Sequence, residues 1–328
     1  YLEQLGEWEE VLQQTTDPSQ RIKAMAHLDM WDEIVKQASY LNEDNAIWFA
    51  WAYYNSNELE NIPKVIKYFN HINSIDEILF QAIYNVKTNK NQLAREFINE
   101  GFRTLSQKPV LFKTEDSTTT SKILQMAFHF TELQEVLDKD TEELLIFWKN
   151  RIESTSLNSA GWMRTIAIRS LIHLPSENSE LYLKMLTAMR KERKFNHIGY
   201  YFNKFFERSS SPDVFISRIK TLWASGDRID ASRLVSFVTS NGIEITENDR
   251  HFLEPYWDFE RRRFHQAIDN QTMAKLLKLN GDWKFQLYKQ NEVDPSVLIK
   301  ICGLYFKSIK LFNQDARVYS GYAYAASR

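Results

Sequence analysis

Glycine and proline are scarce in this chain, and their scarcity restricts its fold more than any other feature. The 328 residues contain only 9 glycines and 7 prolines, whereas average usage would supply about 23 and about 16. Strands joined by tight turns need these two residues, because they supply the backbone conformations that reverse the chain. The sequence therefore predicts long helices joined by short polar loops.

Apolar residues recur at helical spacing along most of the chain. Stripes with the spacing i, i+3, i+4, i+7 occupy residues 2–12, 22–35 and 181–201. This spacing places the apolar side chains on one face of a helix. Strict alternation, which is typical of strands, is not sustained anywhere in the sequence. These stripes predict an all-α fold.

A short phrase recurs and predicts helical hairpins. It reads LGEWE at residues 5–9, LDMWD at 28–32 and LNGDW at 279–283, with weaker copies at 191–195 and 225–228. A residue that tolerates the left-handed conformation ends one helix, and an acidic residue follows near the start of the next. Repeated helix–turn–helix units build a solenoid. We therefore expect an α-solenoid of tetratricopeptide (TPR)/HEAT-like helical hairpins.

Polar clusters predict where these units are separated. Residues 15–19 separate two helices, and residues 113–121 (KTEDSTTTS) are the longest polar run and predict a mobile loop. The cluster SSSPD at 209–213 predicts a boundary between residues 1–208 and 209–328. The chain opens without methionine, in what reads as the middle of a helix, so we expect a fragment of a longer polypeptide.

Charge and cysteine usage narrow the function classes. The 41 basic and 43 acidic side chains give a net charge of -2, which provides no global field for nucleic acid or an anionic membrane. No run approaches the ~18 apolar residues of a membrane span. Cys302 is the single cysteine, so no disulfide forms within the chain. We expect a cytoplasmic location, or one at endomembranes or in the nucleus through partners.

No motif for catalysis is present, and two other features admit alternatives. Glycine-rich phosphate loops, zinc-binding pairs and kinase signatures are absent, so we expect the fragment itself to be non-catalytic. Trp8, Trp31, Trp148 and Trp283 lie in the apolar stripes, which favours core packing over stacking on nucleic acid. The basic clusters at 190–194 and 261–263 fit either a solvated face or an anion pocket assembled from several hairpins.

Several stretches, taken in order, also resemble a known family. The first is residues 1–12, and the second, residues 21–38, contains Met30-Trp31-Asp32; the later ones are 132–136 with 146–149, 168–175 and 184–186. The most specific stretch runs from LNGDW at 279–283 to YAYA at 322–325. The series resembles the FAT domain of target of rapamycin (TOR) kinases, over nearly the whole chain.

This resemblance implies a function outside the fragment. FAT domains belong to giant kinases related to phosphatidylinositol 3-kinase, which phosphorylate serine and threonine with ATP and Mg²⁺. The FAT helices clamp the kinase domain, and in TOR they support a dimeric complex in growth and nutrient signalling. The expected partners are therefore the kinase domain of the same parent chain and TOR complex subunits. We expect no nucleic-acid partner and no membrane span.

The resemblance also implies an anion site. The family binds inositol hexakisphosphate in a basic pocket among FAT helices. By approximate position, Lys23, Lys139 and Arg169 correspond to that pocket, with Arg21 beside them. No other cofactor is expected in the fragment.

Two further interpretations stay open. A stand-alone TPR-type adaptor, which binds peptide or protein partners in a concave groove, fits the hairpin phrases alone. The resemblance also leaves open another member of the same kinase superfamily, including a catalytically inactive one.

Overall fold

Every regular element that the structure describes is a helix. The computed structural model describes residues 8–69, 74–107, 117–139, 141–154, 157–172, 179–206, 211–239, 269–291, 296–313 and 315–327. Within these ranges the prediction of an all-α chain of helical hairpins is confirmed. None of the described helices is both long enough and apolar enough to cross a membrane.

The described helices are numbered here in chain order. The first ten are α1 (Trp8–Gln14), α2 (Pro18–His27), α3 (Trp31–Val35), α4 (Ala46–Asn55), α5 (Ile62–Ile66), α6 (Ile75–Lys87), α7 (Asn91–Ser106), α8 (Ser117–Asp138), α9 (Thr141–Ser154) and α10 (Ser159–Arg169). The next seven are α11 (Ser179–Lys191), α12 (Phe195–Phe206), α13 (Pro212–Ser225), α14 (Arg228–Thr239), α15 (Asn270–Asn291), α16 (Ser296–Leu311) and α17 (Ala316–Ala326). Short 3-10 turns occupy Ala38–Tyr40 and Leu59–Asn61.

Five turns between these elements share one backbone geometry. In each, one residue has a positive φ, and the next helix or 3-10 turn begins two residues later. The amide that follows this residue donates to the carbonyl four positions before it, at 2.8–3.0 Å. This bond defines the Schellman motif, which satisfies the last carbonyls of a helix. The five left-handed residues are Asp29, Asn57, Asn89, Arg193 and Gly226.

These turns test the recurring phrase. The copies at 28–32, 191–195 and 225–228 each contain one of the left-handed residues, so the predicted hairpins are confirmed there. The copy at 279–283 was predicted as a turn, and that prediction is wrong, because these residues lie inside the long helix α15. Residues 5–7 of the first copy lie outside the described part of the chain.

The packing of Gly281 explains why the turn predicted at residues 279–283 does not form in α15. A Cβ built on Gly281 would lie 3.0 Å from Cε1 and Cζ of Tyr305. The glycine therefore provides space for a ring from α16, a requirement of packing and not of backbone conformation. The same ring lies 3.0 Å from the Cβ position of Gly321 on α17. Tyr305 thus fits between glycines of two helices.

The polar run at 113–121 is only partly a loop. From Ser117 onward it is the first turn of α8, so the loop prediction is wrong for Ser117 and the residues that follow. Serine and threonine are favoured at helix N-termini, where their hydroxyls can satisfy free amides. Residues 113–116 lie outside the described residues.

The chain divides into two compact units, Tyr1–Ala188 and Met189–Arg328. The first unit contains a core built around fully buried phenylalanine rings, including Phe49, Phe80 and Phe130. The second unit contains one cluster around Trp283 and another around Tyr305. The sequence-based boundary between residues 208 and 209 concerns groups of repeats and not these compact units, and it stays a prediction.

Tryptophans occupy the core, as their spacing predicts. Trp148 and Trp283 are 2% and 4% exposed, and Trp31 packs against the core of the first unit. Trp8 is half-buried and stacks on His27, with ring centroids 3.8 Å apart. Core packing therefore explains Trp31, Trp148 and Trp283, whereas Trp8 packs on the ring of His27.

Candidate functional site

A buried network of charges joins three helices of the first unit. Glu132 and Glu135 stand three residues apart on α8, so both carboxylates project from one face. Arg151 of α9 contacts both carboxylates, and Arg169, the last residue of α10, contacts Glu132. Glu132 and Arg169 are almost wholly buried. The network therefore lies where three helices converge.

The geometry of the network is that of paired guanidinium and carboxylate groups. Arg169 donates from Nη2 to Glu132 Oε1 and from Nε to Oε2 at 3.4 Å. Arg151 donates both terminal nitrogens to the two oxygens of Glu135, at 3.0 and 2.8 Å. Trp148 Nε1 adds a third hydrogen bond to Glu135 at 3.1 Å. Such two-point pairs are the strongest charge-assisted hydrogen bonds.

Burial and pairing act in opposite directions on the two carboxyl groups. Burial raises the pKa of Glu132, and the guanidinium groups of Arg169 and Arg151 oppose that rise. Burial also acts to raise the pKa of Glu135, but hydrogen bonds from Arg151 and Trp148 outweigh it, so the pKa lies below its ordinary value. The carboxylates are held in place by their arginines.

Two of the four predicted anion-binding residues belong to this network. Arg169 is matched by Glu132, and its guanidinium also lies 4.8 Å from the Trp148 ring. Lys139 lies 3.8 Å from Glu143, and its ammonium stands 4.6 Å from the Phe147 ring. Lys139 also helps to lower the pKa of Glu135. The structure thus links Lys139 and Arg169 through neighbouring carboxylates.

The other two predicted residues lie at the first hairpin. Arg21 Nη1 donates to the carbonyls of Leu12 and Thr15, at 3.4 and 3.5 Å. Lys23 Nζ stands 5.7 Å from the Trp8 ring. None of these described contacts joins Arg21 or Lys23 to Lys139 or Arg169. The assignment of the four residues to one anion pocket stays a prediction.

A second basic cluster lies within the second unit. Lys220 of α13 is half-buried and feels repulsion from Arg190 at the end of α11 and from Lys275 and Lys278 of α15. Burial is the larger cause of the lowered pKa of Lys220, and these neighbouring cations add to it. Arg190 Nη1 lies 3.5 Å from the carbonyl of Ser217, which places the end of α11 against α13.

The sequence predicted only one part of this cluster, the basic residues at 190–194. The cluster at 190–194 indicated either a solvated face or an anion pocket. Arg190 is half-buried, and burial lowers its pKa. The Lys194 side chain is 14% exposed and pairs with Glu192. Lys220, Lys275 and Lys278 gave no signal, because they form no run of basic residues and their two helices are more than 40 positions apart in the sequence. The cluster at 261–263 lies outside the described residues.

Fold and site together define a class of protein. The described chain is an array of helical hairpins, and among its described residues no group of three or more His, Cys, Asp or Glu could hold a metal ion. Such an array belongs to the all-α class of helical-repeat solenoids.

Comparison with known proteins gives the family. The profile of the FAT domain matches residues 46–302, so the chain belongs to the FAT domain family. The chain is 20% identical over 308 residues to the serine/threonine-protein kinase TOR2 of Saccharomyces cerevisiae, an alignment that covers 85% of this chain and 12% of that protein. It is 22% identical over 244 residues to the serine/threonine-protein kinase TOR of rice (Oryza sativa subsp. japonica), which covers 65% and 9%. The resemblance to the FAT domain of TOR kinases is confirmed. The chain spans about a tenth of the length of these relatives.

Proposed function

We propose that this chain is the regulatory FAT segment of a TOR-like serine/threonine protein kinase. The observation that carries the proposal is the FAT match over residues 46–302, together with the TOR2 relative aligned over 85% of the chain. In this proposal the array clamps a kinase domain of the same parent chain, which binds ATP and Mg²⁺. It also supports assembly of a dimeric TOR complex in growth and nutrient signalling in the cytoplasm.

The helical array supports a clamping role through its packing. Within each compact unit, each hairpin packs mainly on its neighbours, so a displacement at one end of the unit would be carried along it. The ion pairs among α8, α9 and α10 hold three helices at fixed relative positions. A rigid element of this kind is what a clamp needs, because a loose one would absorb the displacement.

The test uses the full parent polypeptide and a matched pair of variants. Arg151→Ala loosens the charged network from a half-buried position, whereas Arg103→Ala removes an exposed arginine paired with Glu100 on α7. Phosphorylation of a serine/threonine peptide with ATP and Mg²⁺ should fall about fivefold or more in Arg151→Ala, the lower range of allosteric coupling. The control should match the wild type.

Two outcomes would contradict the clamp. Equal activity in both variants would show that the array does not bear on the active site. Absence of ATP-dependent phosphorylation by the parent polypeptide would contradict the proposal that the parent is a kinase. In that case, binding of a peptide in a groove of the isolated chain would favour the TPR-type adaptor.

A second candidate function is binding of inositol hexakisphosphate, and we propose that the cluster around Lys220 contributes to it. Lys220 is repelled there by Arg190, Lys275 and Lys278, although Asp213 attracts it and Asp282 pairs with Lys278. A polyphosphate would relieve the repulsion on Lys220 as well as pair with the cations. The residues Arg21, Lys23, Lys139 and Arg169 form the competing location. Arg169 is the weakest member of that set, because its charge is already matched by Glu132.

Thermal unfolding with inositol hexakisphosphate separates the two locations. A ligand that binds only the folded state stabilises it by mass action, by about 2.7 kcal/mol at a ligand concentration of a hundred times Kd. The stabilisation is observed as a rise in Tm. Lys220→Ala and Lys275→Ala should abolish most of that rise if the second unit binds, whereas Lys23→Ala and Lys139→Ala should abolish it if the first unit does. No shift at saturating ligand would reject both locations.

A further inference from the structure

The outer face of α16 combines exposed apolar side chains with lysines. On its inner side, Ile301, Tyr305 and Ser308 are buried. The helix packs against α15 and α17. The opposite arc remains open to solvent. Its members are Ile299, Lys300, Gly303, Phe306, Lys307, Lys310 and Leu311, of which Ile299, Phe306 and Leu311 are 75%, 49% and 37% exposed. These seven residues are called the α16 face below.

Gly303 lies at the centre of the α16 face, and no contact within the chain requires a glycine at this position. A glycine inside a helix costs about 1 kcal/mol relative to alanine. Gly281 and Gly321 offset that cost because the Tyr305 ring fills the space a Cβ would take. A Cβ on Gly303 would meet nothing within 4 Å. The open notch would let the backbone of another helix approach closely, as small residues do at helix–helix contacts.

The charges of the α16 face have one sign. Among the described residues, no ion pair joins Lys300, Lys307 or Lys310 to a carboxylate. Lys310 instead stands 4.6 Å from the Phe306 ring. The neighbour of Lys300 on α15 is another cation, Lys284, and repulsion between them adds to the effect of burial in lowering the pKa of Lys284. The face therefore lacks its own counter-charge.

We propose that the α16 face binds an acidic amphipathic helix supplied by another protein chain. The apolar stripe of such a helix would cover Ile299 and Phe306 across the notch at Gly303, and its carboxylates would pair with the three lysines. The spacing of exposed apolar residues suits a helix laid along a helix. Charge complementarity of this kind accelerates association and selects the partner.

The mixture of lysines and apolar residues favours a separate chain over a segment of the same chain. Permanent contacts are more apolar than this face, whereas contacts that form and dissociate keep a polar rim. The notch also favours a helix over a lipid surface, because a lipid surface has no ridge to fill it. The proposal does not depend on a kinase in the parent chain.

The test uses the whole 328-residue chain and two designed probes. One probe is a labelled 18-residue helical peptide with leucines along one face and glutamates on either side, and the other has lysines in place of the glutamates. Fluorescence anisotropy should show binding of the glutamate peptide only. Lys300→Glu, Lys307→Glu and Lys310→Glu together should reverse that preference. The reversal would show that charge at this face decides the partner.

A pair of glycine variants tests the notch. Gly303→Leu should weaken binding of the glutamate peptide about tenfold or more, because the leucine fills the notch. Gly199→Leu is the matched control, since Gly199 is an exposed glycine of α12 that also has nothing within 4 Å of its Cβ position. The control should bind as the wild type does, and both variants should keep the wild-type helical content.

Three results would overturn the proposal. The first is failure of the glutamate peptide to bind. The second is an equal loss in Gly303→Leu and Gly199→Leu, which would exclude the notch. The third is binding of vesicles containing phosphatidylserine, without binding of the peptide, lost when the three lysines are reversed. That result would assign the α16 face to an anionic membrane instead.

Discussion

Two sets of three helices in this molecule are joined by different chemistry. In the first unit, α8, α9 and α10 meet at paired arginines and glutamates. In the second unit, α15, α16 and α17 meet at the ring of Tyr305, which fits against Gly281 and Gly321 and donates to Asp282 at 2.7 Å. Both solve the same problem, the fixing of three helices at one place.

The difference teaches how each joint fails. A buried ion pair gains Coulomb energy only after both charges lose their water, so its net contribution is small while both partners are present. Removal of one partner leaves the other charged, buried and unpaired, which is far more costly. A ring packed against two glycines has no comparable desolvation penalty. A small substitution there only removes packing contacts or introduces a steric clash. The first joint should therefore be more fragile to single substitutions.

The largest expected effect is in the charged joint. Arg169→Ala leaves Glu132 buried without its main partner, and we expect a loss of about 3–5 kcal/mol in the free energy of unfolding. Urea unfolding of the chain measures it. The double variant Arg169→Met with Glu132→Leu should recover most of the loss, because neither charge remains. A single variant no less stable than the double one would show that the pair is not the cause.

The pH dependence of stability comes next, and it arises in the first unit. Burial, aided by Asp76, raises the pKa of Glu77 to about 7, so the folded chain holds this proton more tightly than the unfolded chain. Stability is then highest below the unfolded pKa near 4.5 and is lost as pH rises towards 7, by roughly 3 kcal/mol at most. Glu77→Gln should remove this loss.

His129 requires a difference measurement. Burial, with a smaller contribution from Arg164, lowers the pKa of His129 to about 3, so its effect is the reverse: stability falls as pH falls below about 6.5. Unfolding of wild type and Glu77→Gln is therefore compared at each pH between 4 and 8, which cancels the histidine. A constant difference across this range would contradict the titration of Glu77.

The glycine slot should respond more modestly. Gly281→Ala places a methyl group 3.0 Å from the buried Tyr305 ring, and overpacking of this kind costs about 1–3 kcal/mol. The better helix propensity of alanine offsets up to about 1 kcal/mol of it. Gly303→Ala on α16 is the control, because it gains the same propensity without a contact. A fall in Tm for the first and a rise for the second are expected, and equal shifts would exclude the slot.

The smallest effect is expected for the hydroxyl of Tyr305. Burial and its bond to Asp282 raise the pKa of Tyr305, so the hydroxyl stays protonated near neutral pH and acts as a donor. Tyr305→Phe removes that donor, but Asp282 keeps the ammonium of Lys278 at 2.8 Å. We expect a loss of about 1 kcal/mol in urea unfolding. A loss as large as that of Arg169→Ala would remove the distinction between the joints.

Local features of this fold could be predicted from the sequence, and long-range pairings could not. Helical spacing and turn residues act over a few positions, so the hairpins at Asp29, Arg193 and Gly226 were readable. Gly281 misled, because the ring that requires it lies on another helix. Arg169 was identified as a candidate site residue, but Glu132, the partner that neutralises it, lies 37 positions earlier. Side chains that meet only after folding leave no local signal.

The five Schellman turns have a consequence for how such a protein can be recognised. Their defining bond runs from amide to carbonyl and involves no side chain, so aspartate, asparagine, arginine and glycine all serve in the same place. The recurrence therefore lies in the main chain. From Asp29 to Asn89, and again from Arg193 to Gly226, the turns recur at intervals of about 30 residues, close to the TPR period. Two such arrays can coincide turn for turn while their amino acids agree at few positions. Comparison of backbone dihedral angles should therefore detect relatives of this chain that alignment of letters would miss.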